Sequence, residues 1–127
     1  MLHKDTTYVI DFQSGRKGPL QYDVAALLFQ AQAQIPHHQR ELLLGEYLQE
    51  LQNFSLTVAK DFSEYFYPVV MLRLMQVLGA YGKLGLGAGK QYFLDSIPIA
   101  LNNIRWVNDH QQLCGRLPKL SELLLDL

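Results

Sequence analysis

The sequence has one cysteine, Cys114, among its 127 residues. An intrachain disulfide is therefore excluded, and without further thiols or a histidine cluster a zinc site has no ligand set. Cys114 reads as a small packed residue near a turn. Charge of one sign is lacking too: 11 Lys and Arg balance 12 Asp and Glu, with no basic block. Nucleic-acid binding driven by phosphate neutralisation has no support. Met1 is followed by His3, Lys4 and Asp5 in place of an apolar run, so no signal peptide is read. The most apolar segment, residues 69–80, carries Arg73 and Gln76 and is too short to span a bilayer. These absences predict a soluble cytoplasmic protein that engages neither nucleic acid nor membrane.

Hydrophobic residues make up 49% and charged residues 18%, an ordinary globular composition that sets the chain apart from disordered ones. The length suits one domain, residues 1–127. Asp23 has the chemistry of an N-cap for a helix over 24–34, which Ile35-Pro36 closes. A second helix over 37–53 puts Leu43, Tyr47 and Leu51 on one line, with Leu44 and Leu48 beside it. A third segment, 56–81, contains Pro68, which predicts a kink or the meeting of two helices. Its later half turns Val70, Leu74, Val77, Leu78 and Tyr81 inward. Gly82 reads as the end of that segment, and Gly85, Gly87 and Gly89 as a loose connection. Helices resume over 90–95 and 97–110, with Pro98 in a first turn, and a short helix over 119–125 closes the chain.

The strongest candidate for chemistry is Tyr8-Val9-Ile10-Asp11-Phe12-Gln13. An aromatic and two β-branched residues drive into an aspartate, which predicts a short strand presenting a carboxylate at its C-terminal end. Such edges hold metal and phosphate chemistry in α/β proteins, and Mg²⁺ takes only one or two carboxylates from protein. The plainer reading is that Asp11 begins a turn. A lone strand must also pair, with residues 2–4, with another chain, or with a segment outside these residues.

The run from Ile10-Asp11-Phe12-Gln13 through Gly15-Arg16-Lys17-Gly18-Pro19 to Tyr22-Asp23-Val24-Ala25-Ala26-Leu27-Leu28 resembles the aminoglycoside phosphotransferase group of the kinase-like superfamily. Within it the run is most similar to the bacterial anomeric kinases of amino sugars. Residues 72–82 resemble that group's later helix, and Lys90, Phe93, Ser96, Ile97 and Pro98 the segment after it. The resemblance implies a mainly α fold, the helical C-lobe of a protein-kinase-like fold with a short N-terminal β-strand or hairpin. It implies that Asp11 binds Mg²⁺ between the phosphates of ATP, where protein kinases carry Asp-Phe-Gly. Asp23 would brace the catalytic loop without performing chemistry. Arg16 and Lys17 fall in a loop that meets phosphate or substrate, or else forms a solvated basic turn.

A complete enzyme of this group also needs a glycine-rich loop, an N-lobe lysine and a His-x-Asp-x-x-x-x-Asn loop. None stands in these residues, and His3-x-Asp5 is too close to Asp11 to substitute. The sequence therefore predicts the C-terminal portion of an ATP-dependent small-molecule kinase, with a sugar as substrate, that is inactive alone and binds no cofactor alone. The alternative is a helical interaction module derived from a kinase lobe, associating with itself through uncovered apolar surface. Gly85-Leu86-Gly87-Ala88-Gly89-Lys90 is not a phosphate loop, because Leu84 and Gln91 occupy the positions that need Gly and Ser or Thr. His37-His38 reads as a solvated first turn, and Glu41, Glu46 and Glu50 as a wet helix face.

Overall fold

The computed structural model describes residues 2–8, 15, 17–111, 119 and 122. Within them the protein is mainly helical. A small hairpin comes first: β1 (Leu2–His3) pairs antiparallel with β2 (Thr6–Thr7), Leu2 opposite Thr7 and His3 opposite Thr6. Lys4 and Asp5 between them both take positive φ, 47° and 57°. Two-residue hairpin turns need that geometry to match the strand twist. The strand expected to end at Asp11 lies outside the described residues beyond Tyr8, and Tyr8 itself is in no strand.

Helix α1 (Leu20–Leu28) corrects the expected 24–34 helix at both ends. It begins directly after Pro19, whose φ of −62° and ψ of 136° lead the chain into the first turn. Proline fixes φ and lacks an N–H, so an earlier start costs little. Buried Gln21 then secures that turn by donating to the backbone carbonyls of Asp61 and Phe62, at 3.3 and 3.4 Å. The helix stops at Leu28, a 3₁₀ turn follows over Ala31–Ala33, and Gln34 adopts a left-handed conformation (φ 45°).

Helix α2 (His37–Phe54) forms much as its periodicity predicts. Leu44, Tyr47, Leu48 and Leu51 pack on the core, whereas Leu43 is exposed. One position around a helix is a rotation of about 100°, enough to carry Leu43 off the buried stripe. Ser55 separates α2 from the next helix and caps it, its side chain accepting from the Val58 N–H at 3.4 Å.

Helix α3 (Leu56–Gly82) is one helix of 27 residues with Pro68 inside it, not two helices meeting there. Proline removes one backbone donor, the partner of the Glu64 carbonyl. Buried Phe62 and Phe66 before it, and Val70, Met71 and Leu74 after it, hold both halves in the same core. The continuous helix, extended through Gly87, is by length and composition long enough and apolar enough to cross a membrane. Residues 69–80 alone did not suggest this. Here α1, α2 and α4 all pack against it, the position of a central core helix.

The glycine-rich stretch is structured. A π-helical turn, Lys83–Gly87, continues α3, and Gly85 is buried in it. A Cβ at Gly85 would stand 2.8 Å from Leu94 Cδ2 and 3.1 Å from the Leu94 backbone nitrogen. Glycine is present because the next helix approaches too closely for a side chain. Gly89 then turns the chain at φ 64°, and the Lys90 N–H reaches back to the Leu84 carbonyl at 3.1 Å.

Helix α4 (Gln91–Gln111) is likewise continuous, with Pro98 inside it where a first turn was expected. Ser96 in its second turn is fully buried and donates to the Tyr92 carbonyl at 2.8 Å. Of the expected helix over 119–125, Lys119 and Glu122 are helical and exposed, and the rest lies outside the described residues. Phe62, Phe66, Val70 and Leu74 of α3 meet Ile104 and Val107 of α4 and Ala25 and Leu28 of α1 in the main core. Each large side chain buried there contributes about 1.5–3 kcal/mol relative to exposure. A smaller cluster joins Ala31, Tyr81 and Ala100.

Candidate functional site

Asp11 and Arg16 lie outside the described residues. Lys17 and Asp23 are exposed, and neither side chain makes a hydrogen bond to another described residue. Asp23 does not cap α1: the residue before the helix is Pro19, and Asp23 sits inside the first turn. Its charge there still favours the positive end of the helix dipole, by about 0.3–1 kcal/mol.

What α1 does present is a polar link to α3 that the sequence did not single out. The Tyr22 hydroxyl donates to Gln76 Oε1 at 2.8 Å. Arg73 Nη1 donates to the same hydroxyl and to Gln76 Oε1, both at 3.0 Å. The guanidinium lies over the Tyr22 ring, 5.1 Å from its centroid, a cation–π contact of about 0.5–1 kcal/mol. Arg73 Nε is buried with no partner. Arg73 and Gln76, three apart in the otherwise apolar half of α3 after Pro68, were the available signal. The link ties Tyr22, immediately before Asp23, to α3 through Arg73 and Gln76.

Among the described residues no three His, Cys, Asp or Glu side chains gather as a metal site. Mg²⁺ bound to a nucleotide asks less of a protein, one or two carboxylates with phosphate and water completing the shell. Asp11 has the right donor chemistry for that partial role.

A second polar cluster joins α2 to α4. His37 and His38 at the start of α2 are both exposed, as a solvated first turn predicts, and the ring of His37 also stacks on Trp106, centroids 4.3 Å apart and planes 6° from parallel. His110 stacks on the same indole at 4.6 Å, and its Nδ1 lies 2.9 Å from the Trp106 carbonyl. Covering of the His37 ring lowers its pKa, and the nearby charges of Arg40 and His110 lower it further, against a smaller upward pull from Glu41. Burial and the Glu41 carboxylate raise the Tyr67 phenol. Glu41, Glu46 and Glu50 are exposed, as their spacing suggested.

No protein-family model matches the chain, and no solved structure matches it. It is similar to an N-acetylmuramate/N-acetylglucosamine kinase of Pseudomonas putida, 28% identical over 118 residues. The match takes in 91% of this chain and 33% of that kinase, so the chain spans about a third of the length of the curated relative. The mainly helical architecture is compatible with that match, which supports a kinase-like relationship for this chain.

Proposed function

We propose that these residues form the C-terminal helical portion of a cytoplasmic, ATP-dependent phosphotransferase acting on a sugar hydroxyl, with an amino sugar as acceptor. The observation that carries the reading is the similarity to a sugar kinase along nearly the whole chain, together with the Asp-Phe-Gln block at residues 11–13. Asp11 would hold Mg²⁺, which neutralises charge on the transferred phosphoryl group. Asp23 would brace the catalytic loop from the first turn of α1, and Arg16 and Lys17 belong to a loop that would meet phosphate or acceptor or else form a solvated basic turn. The base that positions the hydroxyl and the loop that covers the nucleotide belong to sequence outside these residues. Positioning supplies most of the rate in phosphoryl transfer, so the 127 residues alone are inactive and bind neither ATP nor Mg²⁺ tightly.

The test is a chimera in which this chain replaces the matching third of the Pseudomonas putida kinase. A folded, nucleotide-binding chimera should phosphorylate an amino sugar, and Asp11→Asn should reduce turnover by three orders of magnitude or more. A folded chimera with no transfer to any sugar, or an Asp11→Asn variant of undiminished rate, would overturn the reading.

A second reading, a helical module that associates with itself, is favoured by the exposure of Leu27 (69%) and Leu72 (61%) on α1 and α3. Sedimentation at tens of micromolar distinguishes it. A dimer lost on Leu27→Glu or Leu72→Glu supports association, and a clean monomer rejects it.

A further inference from the structure

The first turn of α2 has an inverted charge pattern. No side chain caps it, the preceding residue being Pro36, and it contains no acid. A helix N-terminus carries partial positive charge and unsatisfied N–H groups, and usually recruits a carboxylate. Here the turn carries His37, His38 and Arg40 instead.

Arg40 sharpens the imbalance. It is only 5% exposed, and every partner it has among the described residues is neutral or histidine. Nη1 donates to Asn103 Oδ1 at 2.9 Å and lies 3.4 Å from His37 Nδ1, back at the start of the helix. The guanidinium carbon stands 4.6 Å from the centroid of the Phe29 ring. Nε is buried with no partner. The Asn103 amide is itself committed, its Nδ2 donating to the Phe29 carbonyl at 3.5 Å, so it cannot turn to offer more. Glu41 is the neighbouring acid, but it is exposed and makes no ion pair with Arg40. A buried cation without a counter-charge is costly, and burial accordingly lowers the Arg40 pKa.

We propose that the first turn of α2 and the guanidinium of Arg40 form a binding site for a tetrahedral oxyanion, the phosphate group of a small molecule. A tetrahedral anion meets backbone N–H groups of a helix start and a guanidinium at once. Its charge supplies what Arg40 lacks. His37 borders the site, and its ring rests on Trp106, the one tryptophan of the sequence. Occupancy is therefore readable in the emission of that residue. The site is independent of Asp11 and of the kinase reading.

The experiment titrates the whole chain with sodium phosphate and with sodium sulfate at constant ionic strength, against sodium chloride. Trp106 emission and the thermal midpoint are followed together. Phosphate and sulfate should give a saturable change in emission and a rise of several degrees that chloride does not reproduce. Arg40→Gln should abolish both. Because that variant removes buried contacts, His38→Gln, at an exposed position, provides the second test and should weaken binding several-fold with the fold intact. Glucose 1-phosphate and ATP extend the series: binding as tight as free phosphate assigns the site to esterified phosphate, and its loss assigns it to the free anion. Responses equal to chloride, or a phosphate response unchanged by Arg40→Gln or by His38→Gln, would overturn the proposal.

Discussion

The imidazole of His37 lies flat on the indole of Trp106, 4.3 Å away and 6° from parallel. The contact joins the first residue of α2 to the last turns of α4, elements otherwise separated along the chain by the whole of α3. It also gives the protein a titratable seam.

The first prediction concerns that seam and pH. The pKa of His37 is lowered in the folded protein by the covering of its ring, by Arg40 and by His110. The unfolded chain therefore takes up the proton first as pH falls. The His37 contribution to stability is fully present above the ordinary value near 6.5. It declines as pH drops from there through the lowered folded value. Urea denaturation followed by Trp106 emission between pH 8 and pH 5 should show this decline, and His37→Gln should flatten it. An unchanged slope in the variant would assign the decline to other groups.

The second prediction addresses Gly85. A methyl group there would meet Leu94 at 2.8 Å, with the Leu94 backbone nitrogen close behind at 3.1 Å. Gly85→Ala should cost about 1–3 kcal/mol, the range for overpacking a filled core. Gly87→Ala, with nothing within 4 Å of its added carbon, should be nearly neutral. Equal denaturation midpoints for the two variants would contradict the packing described for the π-helical turn.

The third prediction concerns Asn103. Its carbonyl oxygen is a 2.9 Å partner of Arg40, and both residues are buried. Asn103→Ala leaves a buried guanidinium donor unsatisfied and should destabilise by about 1–3 kcal/mol. The double variant Arg40→Met with Asn103→Ala should recover part of that loss, because replacing both partners removes the unpaired charge. Additive losses in the double variant would show that the two residues are not coupled.

The fourth prediction tests how α1 is mounted. Tyr22→Phe removes the hydroxyl that bonds Gln76 at 2.8 Å and Arg73 at 3.0 Å but leaves the ring under the guanidinium. The loss should be about 0.5–1.5 kcal/mol, a typical net hydrogen bond. Arg73→Ala should exceed it, since both the hydrogen bonds and the cation–π contact go. Hydrogen exchange in α1 should quicken in both variants, and exchange no faster than in the unaltered protein would count against this mounting.

Much of the helical content was legible in the sequence. The α2 stripe of Leu44, Tyr47, Leu48 and Leu51, and the inward line from Val70 to Tyr81, follow from a 3.6-residue period. That period depends only on which residues avoid water. Local punctuation was read less well. Asp23 has the chemistry of a cap, but Pro19 starts the helix earlier because Gln21 finds two carbonyls on α3. Pro68 and Pro98 are breakers in an isolated peptide, yet both lie within continuous helices whose neighbouring residues are held in the core on either side.

By itself, the sequence determined a mainly helical chain and its similarity to a sugar kinase, since periodic burial and motif chemistry are written in residue order. Tertiary structure alone decided that the Gly85 turn is packed against Leu94, that α3 is one central helix, and that Arg40 is buried beside His37 and Asn103. Those outcomes depend on which surfaces meet, and residues 63 or 64 positions apart along the chain can meet only once the helices have docked.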